Sequence, residues 1–349
     1  MSFYKNCLLC PRACGVDRKV GKLGYCGETS GLRLAFAGIH KGEEPPITGA
    51  GGSGTIFISG CNLGCAFCQN YQISQSSGIE RAQGRIVDTK EFAEICLALQ
   101  EKGAENINIV TGSHAAPAIA AGIDTARQQG LCIPVLWNSS GYDGLESLEI
   151  LKDTVDVYLP DLKTLDSDFA ARFFNAPDYP EHAAAAILRM MEYRKLRFSP
   201  GRNFCHSAPA QETMISGVMI RHLVIPGYLK ETRQVLRWFS ENCNGGGGNN
   251  RALLSLMTQY TPVKIPGVKT EIPSCFLSDH EYEAVLSMLD EFGIDNGFCQ
   301  ELVTGSDWLP DFKRANPFSS ELSIPVWHYS RRSHKTLPSP AAGNENKPE

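Results

Sequence analysis

The sequence predicts an α/β fold: an open sheet of parallel strands, preceded by a small cysteine-rich segment and followed by an extension. Two observations carry this. Short apolar, β-branched runs alternate with longer helical stretches along most of the chain, and strand alternating with helix implies parallel strands. Six such runs can be counted, too few to close an eight-stranded barrel. An open partial (βα)6 TIM-like barrel accommodates them; a doubly wound sheet is the structural rival.

The elements follow in order. Residues 1–48 form a cysteine-rich module, and the Gly-rich run 49–54 leads into a first strand, Gly54–Ser59. The runs Ile107–Thr111, Pro134–Trp137, Val155–Leu159, Val218–Ile225 and Leu253–Met257 read as the other strands. Helices are expected over 88–102, with Asp88 as N-cap, and over 115–129, 143–152 and 230–241. The interval 175–217 interrupts the alternation with a helix at Ala183–Arg197 and a Pro/Gly/Ser-rich loop at Ser199–Pro209. Residues 244–250, rich in Gly and Asn, read as a surface loop. The barrel is expected to span 49–270 and an extension 271–330, with a helix at 279–292 and a strand at 298–303; a disordered tail is expected over 331–349.

Composition narrows the function. With 42% apolar and 20% charged residues the chain is an ordinary globular protein. A net charge of -5 provides no global basic field for nucleic acid or anionic lipid. No apolar run is long enough to span a bilayer, and Met1–Cys7 lacks the apolar core of a signal peptide, so a cytoplasmic location and no membrane partner are expected. Seven of the thirteen cysteines fall in two tight groups. In a long chain without an export signal this favours metal ligation over disulfides.

The first group is Cys61, Cys65 and Cys68, on a loop directly after the first strand. A [4Fe-4S] cluster normally takes four cysteines; three leave one iron open to chelate a substrate or cofactor. Structural zinc fits poorly, because it wants four protein ligands, often as two separated pairs. The second group, Cys7-x2-Cys10-x3-Cys14-x11-Cys26, supplies four thiolates within twenty residues and suits either zinc or a fully ligated iron–sulfur cluster. So short a segment cannot bury a core, and a metal would supply the missing folding energy.

Cys-x3-Cys-x2-Cys after a strand resembles the radical S-adenosylmethionine (SAM) superfamily. The resemblance extends over about residues 1–315, to uncharacterised iron–sulfur proteins related to the pyruvate formate-lyase activating enzyme. It is carried by Cys61-Asn62-Leu63-Gly64-Cys65-Ala66-Phe67-Cys68-Gln69-Asn70, Asn138-Ser139-Ser140-Gly141-Tyr142, Tyr158-Leu159-Pro160-Asp161-Leu162-Lys163 and Arg221-His222-Leu223-Val224-Ile225-Pro226-Gly227. It implies a [4Fe-4S] cluster on Cys61, Cys65 and Cys68, with SAM on the open iron. Reductive cleavage of SAM would yield a 5′-deoxyadenosyl radical that takes hydrogen from a substrate. The partners implied are an electron donor of flavodoxin or ferredoxin type and a glycyl radical enzyme; a small molecule or a peptide is the enzymatic alternative. A non-catalytic electron-transfer or redox-sensing iron–sulfur protein is the alternative of another class.

The resemblance places Lys163 and Arg221 at the SAM carboxylate, and Asn138, Ser139 and Asp161 at a monovalent-cation site where the family has an acid in place of Asn138. On the residues alone, Asp161 and Lys163 fall on one side of a strand end, where a cation and an anion can hold a zwitterion; a plain salt bridge is the alternative. Gly112, Ser113 and His114 stand where the family has Gly-Gly-Glu, which holds the SAM amino group. Phe67 is expected beside the adenine, and Tyr260 or Gln259 near the ribose or adenine. His40-Lys41-Gly42-Glu43-Glu44 reads as a connecting loop or a substrate-binding element. Cys96 and Cys132 are expected to pack as small hydrophobes. Cys205, beside His206, has no assigned role.

Overall fold

The computed structural model describes residues 3–75, 82–200, 212–244, 250–306 and 308–331. Cys205, His206 and most of the Ser199–Pro209 loop, most of the 244–250 loop and the tail beyond Arg331 lie outside the described residues.

The strands are β1 (Leu32–His40), β2 (Ser53–Ile58), β3 (Arg85–Val87), β4 (Ile107–Val110), β5 (Val135–Ser139), β6 (Val157–Pro160), β7 (Arg197–Ser199), β8 (Thr213–Leu223), β9 (Leu253–Met257), β10 (Gly297–Cys299) and β11 (Ser323–His328). Their order across the sheet is β10-β9-β8-β6-β5-β4-β2-β1-β11, and its two ends do not pair. Neighbours from β2 through β10 are parallel. The fold is therefore an open partial barrel, with the six expected runs as consecutive strands of its parallel part.

Between them run α1 (Pro45–Thr48), α2 (Tyr71–Ser74), α3 (Thr89–Glu101), α4 (Ala116–Gln128), α5 (Leu145–Leu151), α6 (Ser167–Phe174), α7 (Tyr179–Tyr193), α8 (Leu229–Cys243) and α9 (Asp279–Glu291). α3 packs on α4, α4 on α5, α5 on α7 and α8 on α9. Asp88 caps α3 as its sequence predicts, its carboxylate accepting the Glu91 N–H at 2.8 Å. The core is a continuous aliphatic and aromatic cluster whose strand residues, such as Ile56, Ile109, Trp137 and Ile220, are fully covered. Strands covered on both faces read as unbroken apolar runs, which is why they were legible.

The structure differs from expectation at the edges. β1 precedes the first expected strand and pairs antiparallel with β2 and β11, so residues 32–40 belong to the sheet. Helix α7 begins at Tyr179, four residues before the expected Ala183. Pro180 in its first turn suits a helix start, where a missing N–H costs nothing. The helix ends at Tyr193, and Arg197–Ser199 is a strand paired antiparallel with β8. Cys96 is buried but Cys132 is exposed, because it precedes β5 in a surface turn rather than lying on a helix face.

Candidate functional site

The Cys61–Cys68 loop leaves the C-terminal end of β2, the end at which parallel barrels collect their active residues. Gly60 opens it in a left-handed conformation (φ 84°). A Cβ there would lie 2.8 Å from the Cys26 carbonyl, so only glycine lets the two segments touch. The loop is tied down on several sides. The Ala66 N–H donates to the Phe173 carbonyl at 2.8 Å, Gln75 to the Cys65 carbonyl at 2.8 Å, and Gln69 to the Gln259 carbonyl after β9 at 2.9 Å. The Leu63 N–H points at Cys61 Sγ, 3.4 Å away, and Cys68 Sγ lies 3.2 Å from Ser74 Oγ.

Burial pushes the thiols of Cys65 and Cys68 up, the latter to about 11, while the Lys163 ammonium pulls both back. Lys163 forms an ion pair with Asp161. Burial alone would lower its pKa, but Asp161 and Cys65 outweigh that and hold it above the ordinary lysine value. Lys163 and Asp161 thus share one electrostatic environment with the cysteine loop. Asp161 is fixed by its N–H to the Ser139 carbonyl, 2.9 Å, and by a parallel backbone β-bridge to Arg221.

Arg221 faces elsewhere. Its guanidinium binds the carboxylates of Glu43 and Glu44, which follow β1. These three residues, with Ser255, Gln259 and Gln300, wall a cavity of about 260 Å³ at the C-terminal ends of β8, β9 and β10. Glu43 also accepts from Asn108 at 3.0 Å. The His40–Glu44 stretch is therefore the end of β1 and the wall of this cavity.

Gly112, Ser113 and His114 follow β4, Gly112 as the N-cap of a 3-10 turn over Ser113–Ala115, and all three are buried. His114 is buried, and its Nδ1 has no hydrogen-bond partner among the described residues. Burial, aided by Arg18, lowers its pKa to about 3, so the ring is neutral at pH 7. Asn62 Oδ1 and Ser140 Oγ are likewise buried without a partner. Such orphaned groups on the loops after β2, β4 and β5 suit a polar ligand. Asn138 and Ser139 end β5, and the Ser139 hydroxyl donates to the buried carboxylate of Asp143, which sequence reasoning missed. Phe67 lies in an aromatic cluster with Phe173, Phe174 and Tyr260, at ring separations of 5.8, 5.9 and 6.1 Å. The Tyr260 hydroxyl donates to the Pro273 carbonyl at 2.8 Å.

Residues 55–201 match the family model described as the radical SAM superfamily. This stretch is a radical SAM domain. An uncharacterized protein of Methanocaldococcus jannaschii is 28% identical over 302 residues, spanning 84% of this chain and 77% of the relative. Among solved structures, Streptococcus suis SuiB bound to S-adenosylmethionine is similar at 14% identity and a TM-score of 0.45, over 69% of this chain and 48% of SuiB. The chain thus spans about half the length of SuiB. A domain of a pyruvate-formate lyase-activating enzyme from Bacteroides vulgatus is similar at 15% identity and a TM-score of 0.34, over 53% of this chain and 91% of that one.

The donor set of the radical SAM domain fits its cofactors. Three thiols stand on one loop with a lysine and a carboxylate beside them, although among the described residues no three ligating side chains are already gathered around one point at ligating distance. No helix of the described residues is long and apolar enough to cross a membrane. Four residues that shape this site were not read from the sequence. Arg12, Arg18 and Tyr179 act through backbone carbonyls of distant segments, and Asp143 lies in an unremarkable turn. Only Arg12, lodged between Cys10 and Cys14, could have been singled out by position.

Proposed function

We propose that this chain is a radical SAM enzyme in which Cys61, Cys65 and Cys68 hold a [4Fe-4S] cluster beside a SAM site formed by the loops after β4, β5 and β6. The observation that carries the reading is the Lys163–Asp161 pair next to Cys65 in a radical SAM domain. Loaded, the cluster and SAM supply a one-electron cleavage of a carbon–sulfur bond that yields a hydrogen-abstracting 5′-deoxyadenosyl radical.

The residues of the chain bind and orient. Lys163 faces the SAM carboxylate and Asp161 the ammonium, a charge pair meeting a zwitterion. Arg221 is already neutralised by Glu43 and Glu44 and supports the wall of the cavity. Gly112, Ser113 and neutral His114 line the amino-group side; Asn138, Ser139 and Asp161, with Asp143 behind them, take a monovalent cation. Tyr260 and Phe67 close the aromatic side. The electron arrives from a donor of flavodoxin or ferredoxin type in a reducing, cytoplasmic compartment. The substrate is a glycine backbone hydrogen of a partner enzyme, reached over the cavity walled by Glu43 and Glu44.

Anaerobic reconstitution with iron and sulfide, then dithionite and SAM, should release 5′-deoxyadenosine, and Cys65→Ala should abolish it. No product from protein with an intact cluster would overturn the reading. A glycyl radical signal on a co-purifying partner would identify the substrate.

A further inference from the structure

The N-terminal segment is ordered without a core. Residues 3–31 contain one 3-10 turn, Arg18–Val20, and no strand. Leu9 is the one aliphatic side chain they bury, whereas Leu8, Val20 and Leu23 are exposed. Yet the path is closely knit. The Cys7 N–H donates to Val16 O at 3.2 Å, Gly15 to Cys7 O at 3.1 Å, Ala13 to Cys10 O at 2.9 Å and Gly24 to Glu28 O at 3.1 Å. These bonds fold the segment back on itself and set Cys7, Cys10, Cys14 and Cys26 along its turns, although no three ligating side chains among the described residues stand around one point at ligating distance. The Sγ atoms of Cys26 and Cys14 lie 3.3 and 3.5 Å from the one point where a Cβ on Gly24 would stand.

Inside this knot is a buried cation. Arg18 is 1% exposed. Its guanidinium donates to Cys7 Sγ at 3.6 Å and to the carbonyls of Glu28, Thr29 and His114 at 3.1, 2.6 and 2.7 Å. It also lies over the Tyr4 ring, 4.9 Å from the centroid, while the Glu28 carboxylate is engaged by Arg33 at 3.1 Å. A permanently charged guanidinium buried among carbonyls is further stabilised by an anion beside it. Thiols do not supply one, and metal-bound thiolates do.

We propose that Cys7, Cys10, Cys14 and Cys26 bind one metal centre as four thiolates, with Arg18 as its buried counter-cation and as the strut that couples it to the His114 loop. The coupling half rests on the SAM site proposed above; the metal half does not. A second strut runs beside it. Arg12, between Cys10 and Cys14, donates to the carbonyls of Asn62, Leu63 and Phe174 at 2.8, 3.0 and 2.9 Å. Four thiolates are shared chemistry for zinc and for an iron–sulfur cluster, and metal counting tells the two apart.

The test is metal analysis of the full-length protein, purified without oxygen, by inductively coupled plasma mass spectrometry. Cys61, Cys65 and Cys68 account for about four irons per chain. About one zinc, or about four further irons, is expected beyond these. A wild-type chain with four irons and nothing more overturns the metal centre, whatever a variant does and whether or not SAM is cleaved. Cys10→Ser with Cys26→Ser should lose that additional metal and keep the iron of the radical cluster; retention of all metal counts against the assignment. For the strut, Arg18→Gln should weaken SAM binding about tenfold by equilibrium dialysis, and Arg18→Lys should recover part of it, since a lysine restores the charge without the fork. Unchanged SAM affinity in Arg18→Gln with unchanged metal content overturns the coupling.

Discussion

The hydroxyl of Tyr179 accepts the Lys163 amide N–H at 3.0 Å. The same hydroxyl lies 2.9 Å from the Ser140 carbonyl and 3.0 Å from that of Asp161. One buried oxygen from α7 thus pins the loops after β5 and β6. Tyr179→Phe leaves these buried backbone groups without their partner, at a cost of about 1–3 kcal/mol. Circular dichroism should record a lower thermal midpoint, together with weaker SAM binding because Lys163 and Asp161 lose their anchor. An unchanged midpoint would show that the bond contributes nothing.

Arg221 serves two largely covered carboxylates, Glu43 and Glu44, whose side chains are 12% and 9% exposed. Burial pushes the Glu44 carboxyl up, but Arg221 outweighs it and holds the group below its ordinary value. Arg221→Met strips the cation from both acids and should cost about 3–5 kcal/mol. Glu44→Gln leaves the Glu43 pair and should cost less. Urea unfolding at neutral pH ranks the two, and the reverse order would refute the pairing. The Glu44 contribution is present above the unfolded carboxylate pKa and is lost as pH falls through the lower folded value.

His222 is buried, with Nδ1 donating to the Leu162 carbonyl at 2.7 Å and Nε2 accepting from Thr232 at 3.0 Å. Burial, only partly offset by Leu162, lowers its pKa to about 4. Between the unfolded value near 6.5 and this folded value, the unfolded chain binds the proton and the folded chain does not. Stability should therefore fall as pH drops through that window, by about 1.4 kcal/mol per unit for this group. Urea midpoints measured from pH 7 to pH 5 should decline, and His222→Gln should make the decline shallower. An identical slope in the variant would exclude His222 as the source.

Gly141 and Gly227 both have φ of 77°, but a Cβ on Gly141 would meet the Asp161 carbonyl at 2.1 Å, whereas nothing lies within 4 Å of one on Gly227. Gly227→Ala should cost only the left-handed backbone penalty, about 1–2 kcal/mol. Gly141→Ala should cost more and displace Asp161, lowering SAM affinity as well as stability. Equal losses in the two variants would mean that the contact relaxes freely.

The parallel strands were legible because each is covered on both faces and so reads as an unbroken apolar run. The helix over 88–102 was legible for a similar reason, with Asp88 marking its start. β1 was not, although Leu32–His40 is as apolar as its neighbours, because it follows the metal-ligand spacing without a preceding helix. In the site, the cysteine triplet and the Asp161–Lys163 spacing were legible as local patterns. Tyr179 was not, since a tyrosine at a helix start carries no mark of the carbonyls it will meet.

By itself the sequence determined which apolar runs form the parallel strands and which three thiols leave a strand end together. Those are local properties, encoded in periodicity and spacing. Only the tertiary structure decided that Arg221 meets Glu43 and Glu44 from 178 and 177 residues away, and that Arg18 reaches the His114 carbonyl across 96. Charge pairing between distant segments depends on how the β-sheet brings strand ends together. A charged residue in a sequence specifies the partner it needs, but the fold specifies which one it gets.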